Sequence, residues 1–318
     1  MSPDVLIEAL KAMLLGVVEG ITEWLPISST GHMILVDEFV QLNVSPEFLV
    51  LFLVVIQIGS IMAVIVSFFH KINPFSSKKT HEEQRKTWRM WGMVVIGCIP
   101  AAVFGILFDE WVNQNLYNAW VVAAMLILYG IFFIVIESFN RRRERALITG
   151  ETVAQMRGKH ARVAEVDPDD PDSVDKALFK VTDPYEIDWK TAIKIGLFQC
   201  LAIIPGTSRS GATIIGGMLC GCSRTAAAEF TFFLAIPVCF GWGMVRAIRY
   251  MLNGLVMTQT EIVVLVVGTL TAFVMGVIAI RFLMGYIKKN DFTVFGVYRI
   301  IIGIIVLGYF GAQALGVF

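Results

Sequence analysis

Two glutamates one helical turn apart, four hydroxyl side chains and a histidine crowd into residues 16–32 of a chain that is otherwise strongly apolar. Glu19 and Glu23 are spaced i,i+4, which stacks both carboxylates on one face of a helix. Pro26 stops that helix. Ser28, Ser29 and Thr30 behind it are residue types that cap a new helix, whose free N–H groups and positive dipole end favour an anion. A second break follows at residues 204–213, where Pro205 and Gly206 precede Ser208, Arg209, Ser210 and Thr213. Guanidinium, hydroxyls and free amides together describe a phosphate cradle. The glutamates would repel a phosphate unless a cation lies between them, and a hard divalent ion with oxygen ligands, Mg2+ or Ca2+, resolves that conflict. A diphosphate would need both the arginine and the metal.

The elements that must hold these residues are membrane helices. At 56% hydrophobic and 16% charged residues, with a mean hydropathy of +0.71, the chain has too little polar surface for a soluble globule of this length. The reading is an all-α polytopic membrane protein, with the bilayer as its surroundings and no nucleic acid as a partner. The five cysteines lie in apolar segments without metal-ligand spacing and read as small core residues. Asp4, Glu8 and Lys11 before the first apolar run argue against a removable signal peptide.

In chain order, residues 11–40 form a re-entrant segment around the first break, and uncharged spans follow at 48–69, 91–108 and 119–136. Lys71, Lys78, Lys79, Arg85, Lys86 and Arg89 place the loop after the first span in the cytoplasm, as Arg141, Arg142, Arg143 and Arg145 do for the end of the third. Residues 140–188 are charged, contain Asp167-Pro-Asp-Asp-Pro-Asp172 and read as a solvated cytoplasmic linker. A second re-entrant segment at 192–222 precedes spans at 230–245, 262–280 and 292–316. The chain thus divides into 1–139, the linker, and 189–318.

The halves repeat. At an offset of 180 positions Gly16 meets Gly196, Glu19 meets Gln199, Ser28 meets Ser208 and Gly31 meets Gly211. At an offset of 171, Gly97, Ala101 and Gly105 fall on Gly268, Ala272 and Gly276, small-residue spacing suited to close helix packing. Three full crossings per half is an odd number, so the second copy lies upside down: two inverted-topology repeats, each with a broken re-entrant helix pair and about three full spans. Both termini then lie outside, and the two breaks face one another near the midplane.

Structural readings stand beside the functional ones. Glu19 and Glu23 could be protonated helix residues, His32 a packing histidine, and Ser28 and Thr30 plain caps. Arg209 is a charge at membrane depth, for which function is the default reading. Arg299 is a further candidate for phosphate contact: the uncharged run after it is long enough to span alone, leaving it at the interface, whereas alignment with the first half puts it deeper.

Glu19-Gly-Ile-Thr-Glu23, Ser28-Ser-Thr-Gly-His32 and Pro205-Gly-Thr-Ser-Arg-Ser-Gly-Ala-Thr213 closely resemble the signature segments of the bacterial undecaprenyl-pyrophosphate phosphatases, also called bacitracin-resistance proteins; Val55–Ser60, Ala228–Phe230 and Tyr298-Arg299 extend the resemblance over nearly the whole chain. The resemblance implies a divalent-metal-dependent phosphatase of the bacterial inner membrane that removes the terminal phosphate of the C55 isoprenyl diphosphate carrier of cell-wall synthesis. It also implies a site open to the extracytoplasmic side and bacitracin as a competitor for the substrate; a homodimer is compatible with it. Glu19 and Glu23 carry over as metal ligands, Ser29 and His32 as reacting groups, and Ser208, Arg209 and Thr213 as phosphate contacts. The 140–188 segment is long for the family. Ser29 and His32 are i,i+3, so the expectation is that the imidazole sits beside the hydroxyl, with Ser29 attacking, His32 moving its proton and Arg209 holding phosphate oxygens. His32 as the nucleophile is the second option. The competing class is a lipid-phosphate flippase on the same inverted-repeat architecture, which needs anion ligands but no nucleophile.

Overall fold

The computed structural model describes residues 3–148, 170–252 and 257–316, and among them the chain is helical apart from turns and one isolated bridge between Val181 and Cys222. Residues 149–169, the middle of the segment read as a linker, lie outside the described residues.

The first half runs α1 (Pro3–Thr22), α2 (Ser29–Asp37), α3 (Pro46–Ser67), the single turn α4 (Phe69–Ile72), α5 (His81–Asn115) and α6 (Ala119–Ile148). After α7 (Pro171–Leu178), the second runs α8 (Trp189–Cys200), α9 (Arg209–Leu219), α10 (Arg224–Leu252), α11 (Gln259–Ile287) and α12 (Thr293–Ala314). Six of these, α3, α5, α6, α10, α11 and α12, are long and apolar enough to cross a membrane. Several run past the uncharged stretches on which the sequence reading rests, because Arg, Glu and Lys beyond an apolar run are good helix formers that continue it into water.

The starts of the helices follow local chemistry. Ser45 caps α3 with Pro46 in its first turn. Reciprocal capping boxes, Thr80 with Glu83 and Thr258 with Glu261, open α5 and α11. Asp188 caps α8 by accepting from Thr191, and those hydrogen bonds hold its carboxyl below the usual carboxylate range.

Each short helix before a break packs against a long helix of the other half: α1 lies along α11, and α8 along α5. The contacts are backbone to backbone. A Cβ added at Gly16 would strike the Gly268 carbonyl, and one at Gly196 the Gly97 carbonyl, so only glycine lets the helix pairs approach this closely. Gly16 and Gly196, which align at an offset of 180, thus pack on Gly268 and Gly97, which align at an offset of 171.

Behind the breaks lies the main apolar core, in which Trp24 meets Phe232 edge to face at 5.4 Å and Phe68 meets Phe233 at 5.4 Å. The outward face of α5, including Val95, Ile99, Val103 and Leu107, is exposed, as a lipid-facing helix requires. Two charge pairs tie the halves together on the basic side. Lys71 donates to both oxygens of Glu229 (2.7 and 2.8 Å), and Arg224 to both oxygens of fully buried Glu137 (2.8–3.1 Å).

Candidate active site

The two breaks meet. α2 and α9 both start at a serine in the left-handed region, Ser28 at φ 75° and Ser208 at φ 69°, and these are the only non-glycine residues with positive φ among the described residues. Each is held there by its own side chain, the Ser28 hydroxyl accepting from Gly31 N–H (3.3 Å) and the Ser208 hydroxyl from Gly211 N–H (3.1 Å). Such a backbone costs about 1–3 kcal/mol and persists where surrounding contacts over-determine it. Here it marks the starts of α2 and α9, whose first amides have no intrahelical acceptors.

Arg299 supplies the over-determination. Its fully buried guanidinium donates to Pro26 O in the first break (3.1 Å) and to Gly206 O and Thr207 O in the second (both 2.9 Å). One side chain from α12 thus satisfies carbonyls that the interrupted helices leave free, and its face lies over the Tyr129 ring at 5.6 Å. Arg299 is thus buried inside the protein, and its donors turn to backbone carbonyls of both breaks, which it clamps together.

Glu23 stands at the junction. Its Oε2 accepts from the Ser29 hydroxyl at 2.8 Å, its Oε1 from Arg209 Nη2 at 2.8 Å, and its backbone carbonyl from the Ser210 hydroxyl at 3.2 Å. The Glu23 and Arg209 side chains are 7% and 13% exposed, so the pair is nearly dry. Arg209 also lies over the Trp24 ring at 5.9 Å, while its second terminal nitrogen, Nη1, is buried without a partner. Glu19, one turn before Glu23, is 5% exposed, and its carboxylate accepts no hydrogen bond from any described residue.

His32 is engaged elsewhere than spacing alone suggests. Its Nδ1 lies 2.7 Å from Ser28 O, which can only accept, so the neutral ring carries its proton on Nδ1. Nε2 is left as the acceptor for the Tyr298 hydroxyl at 2.8 Å, with the two rings stacked at 5.6 Å. The hydroxyl of Ser29 therefore turns to Glu23, not to the imidazole. An i,i+3 pair can touch on a helix, but a carboxylate brought back across the proline break reaches Ser29 first.

The remaining candidates sort by what they bond. Thr213 donates to Arg209 O at 2.8 Å and accepts from Thr231 at 2.9 Å, deep inside. Ser208 and Ser210 share a hydrogen bond at 3.1 Å, and Ser28 is consumed as a cap. These four build the two loops. The side chain of Thr30, half-buried on the first turn of α2, makes no hydrogen bond with the described residues. Tyr298 enters the sequence reading only as part of a resembling segment, and no local signal ties a residue of α12 to His32.

A hard divalent cation fits this donor set. Among the described residues no group of three or more His, Cys, Asp or Glu comes together. Protein ligation would rest on the two stacked carboxylates, the uncommitted Glu19 above all, with phosphate oxygens and water completing the shell as Mg2+ sites commonly have it.

Residues 12–305 match the family described as Bacitracin resistance protein BacA. A Streptococcus thermophilus protein named undecaprenyl-diphosphatase is 51% identical over 310 residues, 98% of this chain and 96% of its own. Proteins of the same name from Desulfitobacterium hafniense (49% over 311 residues, 98% and 99% covered) and Enterococcus faecalis (48% over 299 residues, 94% and 96% covered) are similar over the same extent.

Proposed function

Because the chain belongs to the bacitracin resistance protein BacA family, we propose that it is an undecaprenyl-diphosphatase, a multi-pass membrane hydrolase that converts undecaprenyl diphosphate to the monophosphate and inorganic phosphate at the junction of its two breaks. The observation that carries the placement of the site is Glu23 shared between Ser29 and Arg209, each at 2.8 Å, one from either break. A nucleophile, its base and a phosphate-gripping guanidinium are thereby brought into one dry pocket, which favours hydrolysis over a lipid carrier that would need no nucleophile.

In this reading the terminal phosphate lies against Arg209 and the first amides of α2 and α9. Ser29 Oγ forms a bond to the terminal phosphorus as the bond from phosphorus to the bridging oxygen breaks, the electron pair leaving with the lipid monophosphate. The Ser29 proton passes to Glu23, with which it is already hydrogen-bonded. Water then attacks the phosphoserine, and serine and inorganic phosphate are released. Arg209 holds the terminal phosphate through its planar guanidinium. His32, fixed by Ser28 O and Tyr298, lines the same turn and bounds the pocket. A divalent cation on Glu19 and Glu23 would neutralise phosphate charge and polarise the bond to be broken.

The chain further reads as two inverted repeats with re-entrant pairs α1–α2 and α8–α9, a reading supported by the matched left-handed serines and by the reciprocal packing of Gly16 on Gly268 and Gly196 on Gly97. With the basic loops in the cytoplasm, α1 and α2 dip from the opposite face, and the site opens to the extracytoplasmic side.

The reading predicts that detergent-purified protein releases phosphate from an isoprenyl diphosphate, that EDTA stops the release, and that added Mg2+ or Ca2+ restores it. A preparation that folds, binds the lipid and releases no phosphate under any cation would refute it.

A further inference from the structure

A second feature adjoins the site. Between α5, α8 and α10 lies a cavity of about 400 Å³, a size that suits a small ligand or part of a larger one. Its walls are apolar, among them Ala102, Ile106, Ile203 and Val238, and Arg209 and Gln199 stand in the lining as its polar members. Gln199 is 3% exposed, and neither its amide nitrogen nor its amide oxygen has a hydrogen-bond partner. Arg209 Nη1 is likewise buried and unpartnered, while Nη2 holds Glu23. Buried polar atoms left unpaired on two residues that line one cavity are costly to maintain, and each calls for a ligand that completes it.

The ligand's chemistry follows from the two surfaces. It must present acceptor oxygens to an amide and a guanidinium, and an apolar chain to the walls. Resting on the reading of the chain as an isoprenyl-diphosphate phosphatase, we infer that Gln199 and Arg209 Nη1 bind the phosphate that stays on the lipid, with the first isoprene units along the α5–α10 wall. The terminal phosphate occupies the Glu23–Ser29 side of the same guanidinium. One arginine then bridges both phosphates, one terminal nitrogen to each, which orients the bond between them toward Ser29. Gln199 stands at the position that aligns with Glu19 of the first half. A carboxylate there would repel the retained phosphate, whereas an amide donates a hydrogen bond without adding charge. Gln199 is thus a binding and specificity residue on the lipid side of the site.

Product inhibition separates the two phosphates. In purified protein, Gln199→Leu is expected to raise the inhibition constant of farnesyl monophosphate about tenfold, the worth of a buried hydrogen bond to a charged group. The inhibition constant of inorganic phosphate should stay within about twofold, because that product leaves from the Ser29 side. Since the amide makes no hydrogen bond in the protein alone, Tm should not fall. Gln199→Glu keeps the shape and should weaken farnesyl monophosphate further still, so it provides the reading if the leucine variant does not purify. Unchanged inhibition by farnesyl monophosphate in a folded variant, or equal weakening of both products, would overturn the assignment. A parent protein without phosphatase activity would instead remove the reading on which it rests.

Discussion

Replacing Glu23 by glutamine is expected to lower kcat/KM for isoprenyl diphosphate by a factor of about 10³, in the range that removal of a positioned general base gives. The side chain keeps its volume, so the core around Trp24 should survive. Its chemistry does not. The carboxylate accepts from Ser29 and Arg209 at once, one oxygen to each at 2.8 Å. An amide has a single acceptor and turns a donor toward one of those partners, so either the serine loses the group that takes its proton or the arginine faces an N–H. The variant also removes one of the two charges that attract a cation. Steady-state phosphate release by the purified variant, with Tm measured alongside, checks this. A folded Glu23→Gln protein within tenfold of the parent would mean that Ser29 is activated by another group.

Arg299→Met is expected to prevent folding, or to lower stability by several kcal/mol, and to do so without touching the substrate. The guanidinium satisfies Pro26 O, Gly206 O and Thr207 O, all away from water. Methionine approximates the length and fills the space but donates nothing, and each abandoned buried carbonyl costs about 1–3 kcal/mol. Both breaks lose their anchor together, so the left-handed turns at Ser28 and Ser208 lose what holds them. Arg299→Lys should lie between, since an ammonium has three donors but no planar fork. Monodispersity on gel filtration and Tm in detergent are the readouts, and an Arg299→Met protein with parental Tm and reduced activity would make Arg299 a substrate contact instead of a clamp.

Much of this architecture is legible in the sequence. The six apolar runs are long and uncharged, and hydrophobicity on that scale admits few structures. The breaks announce themselves through proline followed by serine, because capping chemistry is local, and the glycine offsets place helices that only glycine lets touch. The partners of the reacting groups are less legible. Spacing along a helix pairs Ser29 with His32, yet the left-handed turn at Ser28 swings the hydroxyl back to Glu23, and neither proline nor serine in a sequence specifies that angle. Tyr298 reaches His32 from 266 positions away, and Arg299 reaches Pro26 across 273. Contacts of that range are products of packing six spans together and leave no local pattern. Gln199 reads from sequence only as the repeat partner of Glu19; its empty hydrogen-bonding capacity is visible once the cavity around it is known.

In the proposed mechanism Ser29, which shares Glu23 with Arg209, forms a bond to the terminal phosphorus. Rapid acid quenching of the purified protein with isoprenyl diphosphate labelled in its terminal phosphate tests it directly. The expected result is acid-stable label on the peptide carrying Ser29, absent from Ser29→Ala and removed on longer incubation as inorganic phosphate appears. Acid-labile label on His32, or undiminished turnover by Ser29→Ala, would contradict it.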